Sequence, residues 1–61
     1  MRELIGKAVR NKQLTASQGA SLLRHRKRYS EGHTLFMLKL MIEKHLSMKE
    51  AHERAMKHVG K

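Results

Sequence analysis

The sequence predicts an all-α fold: a small bundle of three or four short helices, arranged as two helical hairpins. Three observations predict it. The chain has no Pro and no sustained two-residue alternation that would mark a strand. Thr15 with Gln18, and Ser47 with Glu50, are capping-box patterns that mark helix starts. Residues 34–46, TLFMLKLMIEKHL, are apolar on almost every side. A helix that is apolar nearly all round must be buried nearly all round, so a central helix is expected over about 33–45.

The first helix is expected over roughly Arg2–Asn11. Met1, Leu4, Ile5, Ala8 and Val9 fall on one face, with Glu3, Lys7 and Arg10 opposite. Asn11-Lys12-Gln13 makes the break. The second helix starts at Thr15 and carries a thin apolar stripe of Ala16, Gly19, Ala20 and Leu23. Its small residues would let another helix approach closely. It runs into the basic segment Arg24-His25-Arg26-Lys27-Arg28, and Ser30-Glu31-Gly32 interrupts it. Gly32 would cost a helix interior about 1 kcal/mol, which favours a break there over the alternative of one bent helix.

The third helix is the apolar segment, starting between Glu31 and Thr34, with Ser30 as candidate N-cap and an end near His45. Leu35, Leu38, Met41 and Ile42 make one face; Phe36, Met37 and Leu40 make another. The fourth starts at Ser47 and spreads Met48, Ala51, His52, Ala55, Met56 and Val59 over one arc. Gly60 is the natural C-terminal stop. The two capped starts align at an offset of 32, Leu14-Thr15 on Leu46-Ser47. This is read as good caps resembling each other, since identities are too few for a duplication.

Sixty-one residues make one small helical domain spanning 1–61. At this size a chain buries only about 60% of its available surface, and a staple is often needed. There is no Cys, so no disulfide or thiolate metal site can serve. A second copy can, and a homodimer is expected, with the Phe36–Met37–Leu40 face as the dimer or partner contact.

Fourteen Lys and Arg against five Asp and Glu give a net charge of +9. Such an excess favours polyanionic partners. The leading expectation is therefore nucleic-acid contact through Arg24, Arg26, Lys27 and Arg28, assisted by Arg10 and Lys12. On a helix Arg24 and Arg28 project together with Ser17 and Ser21, while Arg26 and Lys27 point elsewhere. Tyr29 could stack on a base, but one aromatic is not a stacking platform. The bland counterpart is a solvated helix end whose cations complement the helix dipole. A helix-turn-helix is a weak match: neither turn holds the Gly often found there, and neither second helix presents a clear base-reading face.

Catalysis is not expected. Asp is absent, no nucleophile has a base at a useful spacing, and no Gly-rich phosphate loop is present. No cofactor and no metal are expected. The five histidines include no four-apart pair, and His52, within the apolar arc of helix four, reads as a satisfied boundary residue. The longest apolar runs in 34–46 fall far short of the roughly 20 residues a bilayer span needs. No integral membrane association is expected, and the protein reads as cytoplasmic.

The expected function is thus a small, basic, non-enzymatic regulatory protein that contacts nucleic acid through a basic helix end. The alternative is an adaptor or inhibitor that binds a partner protein through Phe36, Met37 and Leu40. Tiny, basic, Cys-free and helical, the chain in its general look resembles small accessory or regulatory proteins of phages and mobile elements. It carries no family motif.

Overall fold

Helix formation follows the caps. In the computed structural model, which describes all 61 residues, α1 spans Arg2–Arg10, α2 Ala16–Arg28, α3 Glu31–Glu43 and α4 Met48–His58. There is no strand. The Thr15 side chain accepts the Gln18 N–H, and the Gln18 side chain accepts the Thr15 N–H, a complete capping box. At Ser47 only half of the box forms: its hydroxyl accepts the Glu50 N–H.

The start of the third helix falls at the early limit of the expected range, and its end differs from the sequence reading. The third helix starts at Glu31 because the Ser30 hydroxyl accepts the His33 N–H and caps it there. Gly32 therefore sits in the first turn of α3, and the break falls at Tyr29–Ser30. The same helix ends at Glu43, two residues early, because His45 turns into the left-handed region at φ 56°. Lys12 does the same after α1, at φ 60°. Both are non-glycine residues in a conformation that L side chains disfavour. Gly60, at φ 83°, closes α4 without that penalty, its N–H donating to the Ala55 carbonyl.

The hairpins pack as α1 on α2 and α3 on α4, and α2 on α3 joins them. The core draws Ile5 and Ala8 from α1, Leu14 from the first linker, and Leu22 from α2. Met37, Leu38 and Met41 come from α3, and Ala51 and Ala55 from α4. Full burial of a side chain such as Leu22 or Met37 (each at 0% exposure) stabilises by about 1.5–3 kcal/mol. Gly19 lets α1 and α2 approach: a Cβ there would lie 2.6 Å from Val9 Cγ2. Ala51 is fully buried in the core, and half-buried Leu46 packs against it from the second linker.

The central helix is not buried all round. Leu35 is 44% exposed, and Lys39 and Glu43 face solvent. The buried arc is instead His33, Thr34, Met37, Leu38 and Met41. Thr34 needs no partner from another element, since its hydroxyl donates to the Ser30 carbonyl at 3.3 Å. The two linkers, 11–15 and 44–47, differ in length by one residue, so the hairpins are not strict copies. No helix is long and apolar enough to cross a membrane.

Candidate functional site

The last two turns of α2 divide their cations between two clefts. Helical spacing dictates this, since residues four apart share a face and neighbours do not. Arg24 and Arg28 line one cleft, together with Ser21, His25, Tyr29 and Met48 from the start of α4. Arg24 Nη2 donates to Ser21 Oγ at 3.1 Å, which holds the guanidinium along the helix. Arg26 and Lys27 line the other cleft, with Leu23 and with Arg2 from the start of α1. Neither cleft is lined by a carboxylate.

Arg10 and Lys12 do not join these groups. They lie where α1 turns into α2, at the opposite end of a helix that rises about 18 Å from Ala16 to Arg28. Arg2, instead, lies beside Arg26 and Lys27. The antiparallel hairpin brings the first residue of α1 beside the last turns of α2, a long-range pairing that spacing along the chain does not display.

The expected face of Phe36, Met37 and Leu40 also divides. Met37 is fully buried, so it belongs to the protomer's own core and is not available as a contact residue. Phe36 and Leu40 are half-buried and pack at the margin of the core. The Phe36 ring lies 5.5 Å from the His58 ring. Helical rotation explains the split: 100° separates Phe36 from Met37, which turns Met37 into the core and leaves Phe36 at its margin.

Behind Arg24 and Arg28 stands a group of rings that the sequence did not announce. His33 is fully buried and its Nδ1 lies 2.6 Å from the Gly60 carbonyl oxygen. A carbonyl only accepts, so His33 Nδ1 carries a proton, and in the neutral ring Nε2 then has the lone pair. His52 Nδ1, 3.2 Å from that Nε2, is then the donor. Tyr29 stacks on His33 with centroids 4.5 Å apart and planes 14° apart. His25 is nearly parallel to both, 5.3 Å from Tyr29 and 6.3 Å from His33. His52 meets Tyr29 edge-on at 5.1 Å.

Electrostatics follow from this crowding. Burial, then the neighbouring His33 and His25, hold His52 below the ordinary imidazole range, against a weaker opposite pull from Glu53. His25 Nδ1 sits 3.3 Å from the Ser21 carbonyl, so it donates there and leaves Nε2 free. The His and Glu side chains converge nowhere as a metal-ligand set. What the arrangement offers chemically is a pair of guanidinium groups beside a fixed aromatic wall.

The one cue to His33 was its place in the first turn of the most buried helix. Its polarity made it look like a helix boundary. Comparison with models of known families, with curated proteins and with solved structures finds no match.

Proposed function

We propose that the protein is a small, non-enzymatic regulatory protein that contacts nucleic acid through the basic end of α2. The observation that carries this reading is the pair of carboxylate-free basic clefts flanking that end, Arg24 and Arg28 on one side, Arg2, Arg26 and Lys27 on the other. Cations on both flanks of one helix can meet phosphates on either side of it. Such contacts release counterions and make affinity steeply salt-dependent. The overall charge of +9 adds long-range attraction. A protein of this kind would work in the cytoplasm, where nucleic acid is accessible.

The test is binding of labelled nucleic acid, duplex and single-stranded, at low and moderate salt. We expect affinity to fall at least tenfold between about 50 and 200 mM salt for several phosphate contacts. The double charge reversal Arg24→Glu with Arg28→Glu should weaken binding at least tenfold. Reversal of Arg10 and Lys12 should have a smaller effect. Absence of binding to either form at low salt removes this reading.

A second reading rests on half-buried Phe36 and Leu40, next to Leu35 at 44% exposure. It makes that margin of α3 the contact for a second copy or for a partner protein. Light scattering across a concentration range tests the homodimer. Leu40→Gln should shift the equilibrium to monomer without unfolding the chain.

A further inference from the structure

Tyr29 by itself is too little for base stacking, and the chain has no Trp and one Phe. The fold supplies the missing rings from histidine. Tyr29, His25 and His33 form a triangle of nearly parallel rings, with centroids 5.3 Å (Tyr29–His25), 4.5 Å (Tyr29–His33) and 6.3 Å (His25–His33) apart, and His52 meets the edge of Tyr29. His33 is gripped at both nitrogens, by the Gly60 carbonyl and by His52. The ring against which Tyr29 packs is therefore held before any ligand arrives, which lowers the entropy cost of ordering the wall on binding. His25 and Tyr29 stay partly exposed and line the same cleft as Arg24 and Arg28.

We propose that this cleft takes one nucleotide of a single-stranded nucleic acid, its base stacked against the Tyr29–His25 wall and its phosphate held by Arg24 and Arg28. The proposal rests on the nucleic-acid reading above and adds to it the form of the strand. Bases in a duplex already stack on their neighbours and offer only their edges to a protein. Ring faces beside cations are instead what single strands bind, because every base has a π-face. The cleft volume of about 480 Å³ lies within the roughly 300–1,000 Å³ of small-ligand sites. Ser21 Oγ adds a neutral hydrogen-bonding group beside the phosphate position.

The chain holds a single Tyr, so its ring protons report on this site alone. The experiment titrates the unmodified protein at low salt with an oligothymidine of about eight nucleotides, a length within the usual site sizes. A matched duplex and inorganic polyphosphate are the comparisons. Stacking should move the Tyr29 ring signals upfield with the oligothymidine and leave them in place with polyphosphate. The single strand should bind about tenfold tighter than the duplex. Tyr29→Leu should remove most of that preference, while Tyr29→Phe, which keeps the ring packed on His33, should retain it.

Tyr29 signals unmoved by saturating oligothymidine, or moved equally by polyphosphate, would overturn the proposal and leave phosphate contact alone. Equal or tighter duplex binding would also overturn it, with the nucleic-acid reading intact. No binding of any nucleic acid would remove both. Circular dichroism of each variant separates lost binding from lost fold, and a Tyr29→Leu chain that unfolds leaves the ring signals of the native protein to decide.

Discussion

His33 Nε2 accepts a hydrogen bond from His52 Nδ1 across 3.2 Å, while His33 Nδ1 donates to the Gly60 carbonyl at 2.6 Å. With both rings neutral, one proton lies between them. The pair ties α3 to α4. Beside it, the Ser30 N–H donates to the Lys61 carbonyl at 2.6 Å, so the residues after α4 fold back over the start of α3. The same pair braces Tyr29 from behind. A device of stability and the candidate stacking wall thus share their side chains.

Acid should weaken the fold. His52 is held below its ordinary value of 6.5 by burial and by His33 and His25. The unfolded chain therefore binds more protons than the native one between that lowered value and 6.5. The contribution is complete above 6.5 and is lost as pH falls towards the lowered value. The groups facing His52 are His33 on α3, His25 on α2, Tyr29 just after it, and Glu53 on its own helix. All but Glu53 disfavour or ignore its charge. Urea midpoints should drop between pH 7.5 and 5.5, and the drop should shrink in His52→Gln. A midpoint that rises in acid contradicts the assignment.

His33→Ala should be among the most damaging substitutions. It opens a cavity at a fully buried site and leaves the Gly60 carbonyl and His52 Nδ1 without a partner. A loss of about 2–4 kcal/mol is expected from the two effects together. His33→Gln should lose less, because its amide N–H can reach the carbonyl and its oxygen can accept from His52. Denaturant unfolding of both variants checks the order. Equal losses would mean that the hydrogen bonds contribute nothing beyond volume.

Two glycines in helix interiors should respond in opposite directions to Ala. A Cβ on Gly6 meets only the far end of the Arg10 side chain, at 3.4 Å, which can move away. Gly6→Ala should gain up to about 1 kcal/mol from helix propensity. A Cβ on Gly19 would sit 2.6 Å from Val9 Cγ2 and 3.5 Å from Ile5 Cγ2. Val has little freedom at χ1, so α1 must shift. Gly19→Ala should cost about 1–3 kcal/mol as overpacking, despite the same propensity gain. Thermal melting of both variants decides it; a stabilised Gly19→Ala would show that the hairpin contact is loose.

Much of the architecture was legible because caps and apolar spacing are local signals. Thr15, Ser30 and Ser47 each set a helix start from a few neighbouring residues. The division of Arg24 and Arg28 from Arg26 and Lys27 was also legible, from the helical period alone. What could not be read was set by pairing across elements. Arg2 reaches the basic end of α2 only because α1 runs antiparallel to it. His25, Tyr29, His33 and His52 meet only when three helices converge. His33 is polar, and its burial depends on a carbonyl 27 positions away.

Met37 and Leu40, which share one face on a helical wheel, should behave differently. Met37 is fully buried in the core, and Met37→Ala should cost about 2–5 kcal/mol. Leu40 is half-buried at the margin, and Leu40→Gln should cost about 1 kcal/mol or less, since much of its apolar area is already in water. Urea unfolding of the two variants at equal protein concentration measures the difference. If Leu40→Gln destabilises as much as Met37→Ala, and more so as the protein is concentrated, then Leu40 is buried by a second copy. That outcome would place the dimer contact on α3. A small, concentration-independent loss leaves Leu40 free at the surface and the chain stable as a monomer.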